Sequence, residues 1–589
     1  MENVIVLERE RGQNAKNPVW ALILSSFFNR KILSMAMIVV MLFQVFSAGG
    51  FKSIGGSPAI AKATETVVID VSAVTASGTG YTYSSPVINL MGGYDYVLTG
   101  SATGTKRINV PVDVTVDITL KSLIIDNVSS NTPSFIILGK VDLHLIGRSV
   151  LKGGSSAGYA GLNVVLGAEL TIDGEGILEA TGGSNGAGIG GSNAAYGKIT
   201  IDGGTIIATG GAYAAGIGCA NTAAGTAGSV TINGGTVIAN GTTSGAGIGG
   251  GNSGSNNNGG SGGTITINGG TVTATATGSG AGIGGGGGYG SSGNRVGGAN
   301  DVIIINNGII TAKSTENGAG IGGGGGGGAS GAGGNGGIIT INGGTVTANA
   351  VNQAAGIGGG GGLSVSYAGG QAGTLTITGG TVNAASVANG PGIGAGGTQN
   401  VLGTIIIKGG MVTATGGTGG TSGIGGGYSY PTTVGPIFDG GSIKMSPLGM
   451  VPKNSGGTNL YLTTYTVSSG NEFLGISSGT SGGSITFVDD PNPNPSSYAN
   501  KYGIHDVATD RDGKLYFWLP NGTPNVSLVA ATNTYTVTYT TTTTNTGVAT
   551  LAGTYVRAVN VEGTNSTDAE YVTWEGDTLK FLQDGEYTL

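Results

Sequence analysis

The chain has 589 residues, of which 125 are glycine and only 9% are charged, where soluble domains usually carry about 25%. Its net charge of −7 comes from 24 basic and 31 acidic residues with no Lys/Arg-rich run, which argues against a nucleic-acid partner, since such a partner needs a basic face. One cysteine, Cys219, excludes an internal disulfide; it stands where neighbouring repeats place glycine after "GIG" and reads as a small repeat residue.

Residues 1–63 read as a targeting segment. Arg30 and Lys31 precede the apolar run Ile32 to Phe51, and Arg9, Arg11 and Lys16 lie upstream, which keeps that end in the cytoplasm. "AIA" at Ala59–Ala61 is a small-residue cleavage site, and an uncleaved membrane anchor is the alternative. Either way the remainder is exported, to a secreted or cell-surface location, and touches a membrane only through this segment.

Residues 64–446 read as a parallel β-helix. Its first coils begin near Val87, in "VTVDITL", "VDLHLIG" and "ELTIDG", where Leu120, Leu145 and Ile172 are spaced 25 and 27 apart. These aliphatic coils cap and nucleate the stack. His144 alternates with Leu143 and Leu145 and therefore faces outward. Asp173, Glu175, Glu179 and Asp202 fall on neighbouring coils, where they read as solvated strand positions in preference to a cation site.

The glycine-rich repeats follow. One mark is the Ile of each "T-I-N"-like strand, at Ile172, Ile201, Ile232, Ile267, Ile305, Ile341, Ile377 and Ile407. A second is the Ile of each "G-I-G", at Ile189, Ile217, Ile248, Ile283, Ile321, Ile357, Ile393 and Ile424. The gap from first to second mark is 16 or 17, while the gap to the next strand runs from 12 to 22. Each repeat is therefore an invariant piece and a variable, loop-bearing piece that holds the glycine runs, such as Gly322–Gly328. A disordered glycine-rich chain has no reason to keep Ile in register. In "TITINGGTVTATAT", Thr264–Thr277, Thr alternates with Ile or Val on a period of two. "N-G-G" supplies residues that tolerate positive φ at a corner, and "GAGIGG" is a third short strand. Three strands per coil, stacked at about 4.8 Å, bury aliphatic ladders that one coil alone cannot. Asn233, Asn268, Asn306 and Asn342 share one corner, where stacked amides form a ladder. Asp173, Asp202, Thr378, Lys408 and Asp439 replace Asn elsewhere and are expected to break it at both ends.

The same region lacks catalytic groups. From Gly186 to Pro436 the only acids are Asp202, Asp301 and Glu316, and the only bases Lys198, Arg295, Lys313 and Lys408. A glycosidase needs paired carboxylates, and a lyase needs a base with a carboxylate-held metal. The glycine loops also lack the Asp of calcium-binding glycine repeats. The chain is expected not to be an enzyme and to need no cofactor. Tyr196, Tyr289, Tyr367 and Tyr428 sit in the variable segments, where a ring on a rigid surface stacks on a sugar face or simply covers the end of the coil's core; these four are the candidate carbohydrate-binding residues.

After about Met445 the repeat stops. Residues 447–500 are a transition with a Pro/Asn linker at Asp489–Tyr498. Residues 501–540 form a small antiparallel β-domain with Lys514–Trp518 as its core strand and His505 within it. Residues 541–589 follow as a tether that opens with the Thr run Thr540–Thr544. The stretch "YVTWEGDTLKFLQDGEYTL" loosely echoes "YTYSSPVINLMGGYDYVLTG" at Tyr81–Gly100 and is read as the start of a second β-helix.

The phrasing "LTIDGEGILEATGG…GAGIGGS…ITIDGGTIIATGG" resembles secreted bacterial β-helix proteins of the pectate-lyase-like class. It is most similar to the carbohydrate-binding β-helix family of cellulose-degrading and gut Firmicutes, over roughly Val87 to Ser446. The resemblance implies a right-handed parallel β-helix and non-catalytic binding of polysaccharide or host and cell-surface glycan, sometimes with calcium. The long polyglycine loops and scarce acids depart from that family. The expected function is an exported, non-catalytic surface scaffold that binds carbohydrate or mediates adhesion. The alternatives are a polysaccharide lyase-like enzyme and a purely structural or ice-binding solenoid.

Overall fold

The computed structural model describes residues 65–127, 131–155, 158–192, 195–220, 228–252, 257–398, 402–419, 421–427, 435–449 and 451–466, and a set of short strands beyond them. The targeting segment, the Pro/Asn linker, the Thr run, His505 and Tyr428 lie outside the described residues. Every regular element described is a β-strand, and three long sheets of 13, 12 and 13 strands run side by side. Their strands recur in the same rotation along the chain, so the molecule is a right-handed parallel β-helix followed by a small antiparallel part.

One coil shows why these residues form these elements. Thr264–Ile267 lies in the first sheet with alternating exposure, which buries Ile265 and Ile267. The corner follows at Asn268-Gly269-Gly270, where only the second glycine takes a left-handed backbone, φ 81°. Thr271–Ala276 then lies in the second sheet and buries Val272, Ala274 and Ala276. Ile283–Gly284 is the third strand. The core is thus a file of Ile in the first sheet, Val over Ala in the second, and one Ile in the third. In the third sheet Ile189, Ile217, Ile248, Ile283, Ile321, Ile357, Ile393 and Ile424 stand in direct register.

The first coils differ from the expected spacing. Ile172 pairs with Leu143, and Leu145 pairs with Leu120 and Gly174. A shift of two residues leaves the same face buried, so alternation alone cannot distinguish the two registers. Asp95, Asp117 and Asp142 occupy one outward file there. Partial burial, with those two flanking carboxylates, holds Asp117 above the usual carboxylate range.

The corner ladder is longer than expected. Asn233 donates to Asp202 (2.6 Å), Asn268 to Asn233 (2.7 Å), Asn306 to Asn268 (2.6 Å) and Asn342 to Asn306 (2.8 Å). The Thr378 hydroxyl closes the series on Asn342 at 2.9 Å. Asp202 and Thr378 do not break the ladder but end it, because a one-way amide chain needs only an acceptor at its start and only a donor at its finish. Asn268→Asp removes an internal donor and is expected to cost about 0.5–1.5 kcal/mol, whereas Asp202→Asn keeps its acceptor and is expected to be neutral. Paired urea denaturation curves check this.

Both ends of the stack are closed. At the start, Tyr81–Ser84 folds back antiparallel on Val87–Leu90, and the Lys106 ammonium donates to the carbonyls of Val71 and Val74 at 2.9 Å. At the far end, Lys514–Pro520 pairs antiparallel with Leu460–Thr466. Its Trp518 packs edge-on against Phe438, ring centroids 5.6 Å apart, and donates its indole N–H to the Ile443 carbonyl at 2.9 Å. The antiparallel part therefore also shields the last coil, which covers sheet edges that would otherwise template association. Near the end of the chain, Thr578–Phe581 pairs antiparallel with both Gly547–Thr550 and Val572–Glu575.

Candidate binding ridge

The variable segments are not loose loops. In the segments that follow Ile283, Ile321 and Ile357, the chain leaves the third sheet as a glycine leg, turns at a tip, and returns as a second glycine-rich leg. The three donors of Gly285, Gly286 and Gly287 point three ways: to the carbonyls of Gly322 (2.9 Å), Gly260 (3.0 Å) and Ser244 (2.7 Å). Gly323, Gly324 and Gly325 repeat this toward Gly358, Gly298 and Ser279, and Gly359, Gly360 and Gly361 toward Gly394, Gly334 and Asn317. Donors that fan out over three successive residues are those of an extended helix with about three residues per turn and no internal hydrogen bonds. Every face of such a leg meets another backbone. A Cβ on Gly324 would sit 2.0 Å from the Gly286 carbonyl oxygen, and one on Gly360 would sit 2.0 Å from that of Gly324. That close approach explains the glycine runs: the legs form a buried, hydrogen-bonded lattice on the flank of the rod.

The tips carry the large side chains of these segments, and they are joined in sequence. Tyr289 exchanges backbone hydrogen bonds with Asn257 at 3.2 Å each way. Its ring packs against Tyr213 from two coils earlier, with centroids 5.0 Å apart and planes tilted by 60°. The Val296 amide donates to Asn258 Oδ1 at 3.0 Å. Asn294–Arg295 pairs antiparallel with Gly327–Gly328 of the next finger. The Leu363 amide then donates to the Gly331 carbonyl at 3.0 Å, and Thr398 Oγ1 donates to the Tyr367 carbonyl at 3.1 Å. The result is a continuous ridge from Tyr213 to Tyr367, about 20 Å long at about 4.8 Å per coil. Tyr289 (38% exposed), Leu363 (37%) and Val365 (43%) stand out from it.

The four candidate tyrosines separate on this geometry. Tyr289 and Tyr367 lie on the ridge, exposed and half-buried respectively. Tyr196 is fully buried and belongs to the hydrophobic core, with its hydroxyl 3.4 Å from the Gly262 carbonyl. Burial, with lesser contributions from Cys219 and Asp301, holds its phenol well above the usual range. A ring enclosed in this way offers no face to a sugar. Its bulk fills the flank below the glycine lattice, and it plays the core-covering role. Tyr428 lies outside the described residues. Tyr213 and Arg295 were missed. Tyr213 occupies the position four before Ile217 where six other coils carry Ser, Asn or Gln, and that departure from the repeat was the available signal. Cys219 is buried, as its repeat position implies.

Three of the four acids on the neighbouring early coils, Asp173, Glu179 and Asp202, have partners. Asp173 meets His144 Nδ1 at 2.8 Å. Glu179 receives both Nε and a terminal nitrogen of Arg148, at 2.7 and 2.6 Å. Asp202 starts the amide ladder. Among the described residues no group of three or more His, Cys, Asp or Glu side chains is arranged to hold a metal ion.

Comparison with known families agrees with this architecture. The profile of the beta helix repeat matches residues 170–193, 199–221, 230–252, 265–287, 339–361, 375–397 and 405–428. The chain carries beta helix repeats. Each matched segment starts in the first sheet, and those from 230 to 397 end on or just past the outbound glycine leg. The coil at Val302–Gly325 is skipped; there "INNG" replaces "INGG", and Ile303 and Ile305 are still buried in register. No curated protein and no solved structure matches the chain.

Proposed function

We propose that the protein is an exported, non-catalytic β-helix scaffold that mediates adhesion through the ridge of fingertips. The observation that carries this reading is the division of labour within each repeat. The sheets and glycine legs are locked by backbone hydrogen bonds, and the large side chains that interrupt the repeat pattern, Tyr289, Arg295, Leu363, Val365 and Tyr367, are gathered at the tips, with Tyr213 packed against Tyr289. Function carried on loops held by a rigid scaffold is the usual arrangement of a binding protein. Several weak contacts in a row on one rod add by avidity. The apolar run at Ile32–Phe51 supports export. Carbohydrate remains a second reading, favoured by Tyr289, whose exposed ring is suited to stacking on a sugar.

The full chain should be retained on protein- or polysaccharide-coated surfaces in a saturable way, and Tyr289→Ala with Tyr367→Ala should weaken retention at least ten-fold without lowering the melting temperature. Pectin and alginate incubated with the protein and divalent metal should release no unsaturated product. Metal-dependent release of such product would replace the scaffold reading with a lyase, and equal retention by the double variant would remove the ridge from it.

A further inference from the structure

The ridge also points to the class of its partner, an inference that rests on the adhesive reading above. We infer that the ridge binds a protein surface bearing carboxylate side chains beside apolar ones. Its tips are built from Tyr, Ser, Asn, Gly and Arg, as in "YGSSGNR" at Tyr289–Arg295 and "LSVSY" at Leu363–Tyr367. That vocabulary combines rigid aromatic anchors, adaptable polar groups and one cation, which is the composition of surfaces that recognise proteins.

Three observations narrow the partner. First, Leu363 and Val365 are exposed side by side with Tyr367 on one fingertip. Branched aliphatic groups offer little to a hydroxyl-covered sugar but form the apolar centre of a protein interface. Second, Arg295 is the cation of the ridge. Its Nε donates to the Ser292 carbonyl at 3.1 Å, and among the described residues no carboxylate pairs with it. The two acids nearest to it in sequence are engaged elsewhere: Asp301 accepts from Ser261 at 2.8 Å and Glu316 from Ser279 at 2.9 Å. A guanidinium held by one nitrogen keeps its fork for a carboxylate on the partner. Third, Arg295 and Tyr289 belong to one finger: a Cβ on Gly288 would sit 2.3 Å from the Arg295 carbonyl oxygen, so the backbones of its two legs are in contact there. Tyr and Arg are among the residue types that dominate binding energy in protein interfaces. A strip about 20 Å long is the right size for the centre of an interface that buries about 800 Å² per partner.

The test uses the purified full chain on two arrays, one of extracellular and surface proteins, each native and enzymatically deglycosylated, the other of neutral and acidic polysaccharides. The expected result is saturable binding to array proteins that survives deglycosylation. Arg295→Glu should weaken it at least ten-fold and Arg295→Lys by less. Binding should fall as salt rises, and Leu363→Ser with Val365→Ser should weaken it independently of salt. Thr273→Lys, on the outward face of the second sheet, should leave it unchanged, and circular dichroism melts should show each variant folded. Binding confined to polysaccharides, or lost on deglycosylation, would overturn the inference while leaving adhesion standing. Protein binding indifferent to Arg295→Glu would overturn it as well. Binding to neither array would overturn both.

Discussion

Gly284→Ala is expected to be among the most damaging single-methyl additions in this protein. Gly284 has φ 136°, a region costly to residues with a Cβ. A Cβ there would also lie 2.0 Å from the carbonyl oxygen of Gly322 and 2.9 Å from its carbonyl carbon. Overpacking typically costs about 1–3 kcal/mol when side chains can shift aside. Here the obstacle is backbone, itself fixed by the Gly285 hydrogen bond to that same oxygen, so the cost should lie at or above the top of that range. Gly92→Ala is the control, since nothing lies within 4 Å of the added atom, and it should change stability by less than about 0.5 kcal/mol. Thermal melts of the two variants, with limited proteolysis to locate the opened finger, check this. Equal melting temperatures would mean that the glycine legs are not packed as described.

Ile321→Ala should destabilise by about 2–5 kcal/mol, and Ile321→Val by about 0.5–1.5 kcal/mol. Ile321 is fully buried, in register between Ile283 and Ile357. The third strand of its coil is only Ile321–Gly322, so no second side chain in that strand can fill the cavity. Because the contacts of a solenoid coil are mainly with its nearest coils, the damage should be local. Hydrogen exchange should quicken around Ile283, Ile321 and Ile357 and stay unchanged at Ile118 and Leu143. Uniform acceleration along the rod would show instead that the array unfolds as one unit.

The Ile, Val and Ala positions of the coil were legible because strand periodicity writes burial into residue identity: Thr-Ile-Thr-Ile has only one face that can go inside. The corner was legible for a similar reason, since Gly270 takes a backbone that other residues avoid. Where identity carries less information the reading stopped. Leu143 and Leu145 are interchangeable on alternation alone, and only pairing with Ile172 separates them. Asp202 and Thr378 looked like interruptions, and only the one-way run of the amide ladder turns them into its ends. The glycine legs were the largest gap. Glycine has no side chain to show which face is packed, so a loose loop and a buried lattice leave the same trace in a sequence. That blindness is also why Tyr196 and Tyr289 looked equivalent when one is enclosed and the other exposed.

The sequence by itself determined that this is a β-helix of stacked coils with few ionisable groups, because repeated local preferences need no distant partner to be read. The tertiary structure alone decided which segments meet, bringing Tyr213 against Tyr289 and pairing Asn294–Arg295 with Gly327–Gly328. Those contacts join residues on different coils, and their distance in space depends on how many coils lie between them and not on any local pattern.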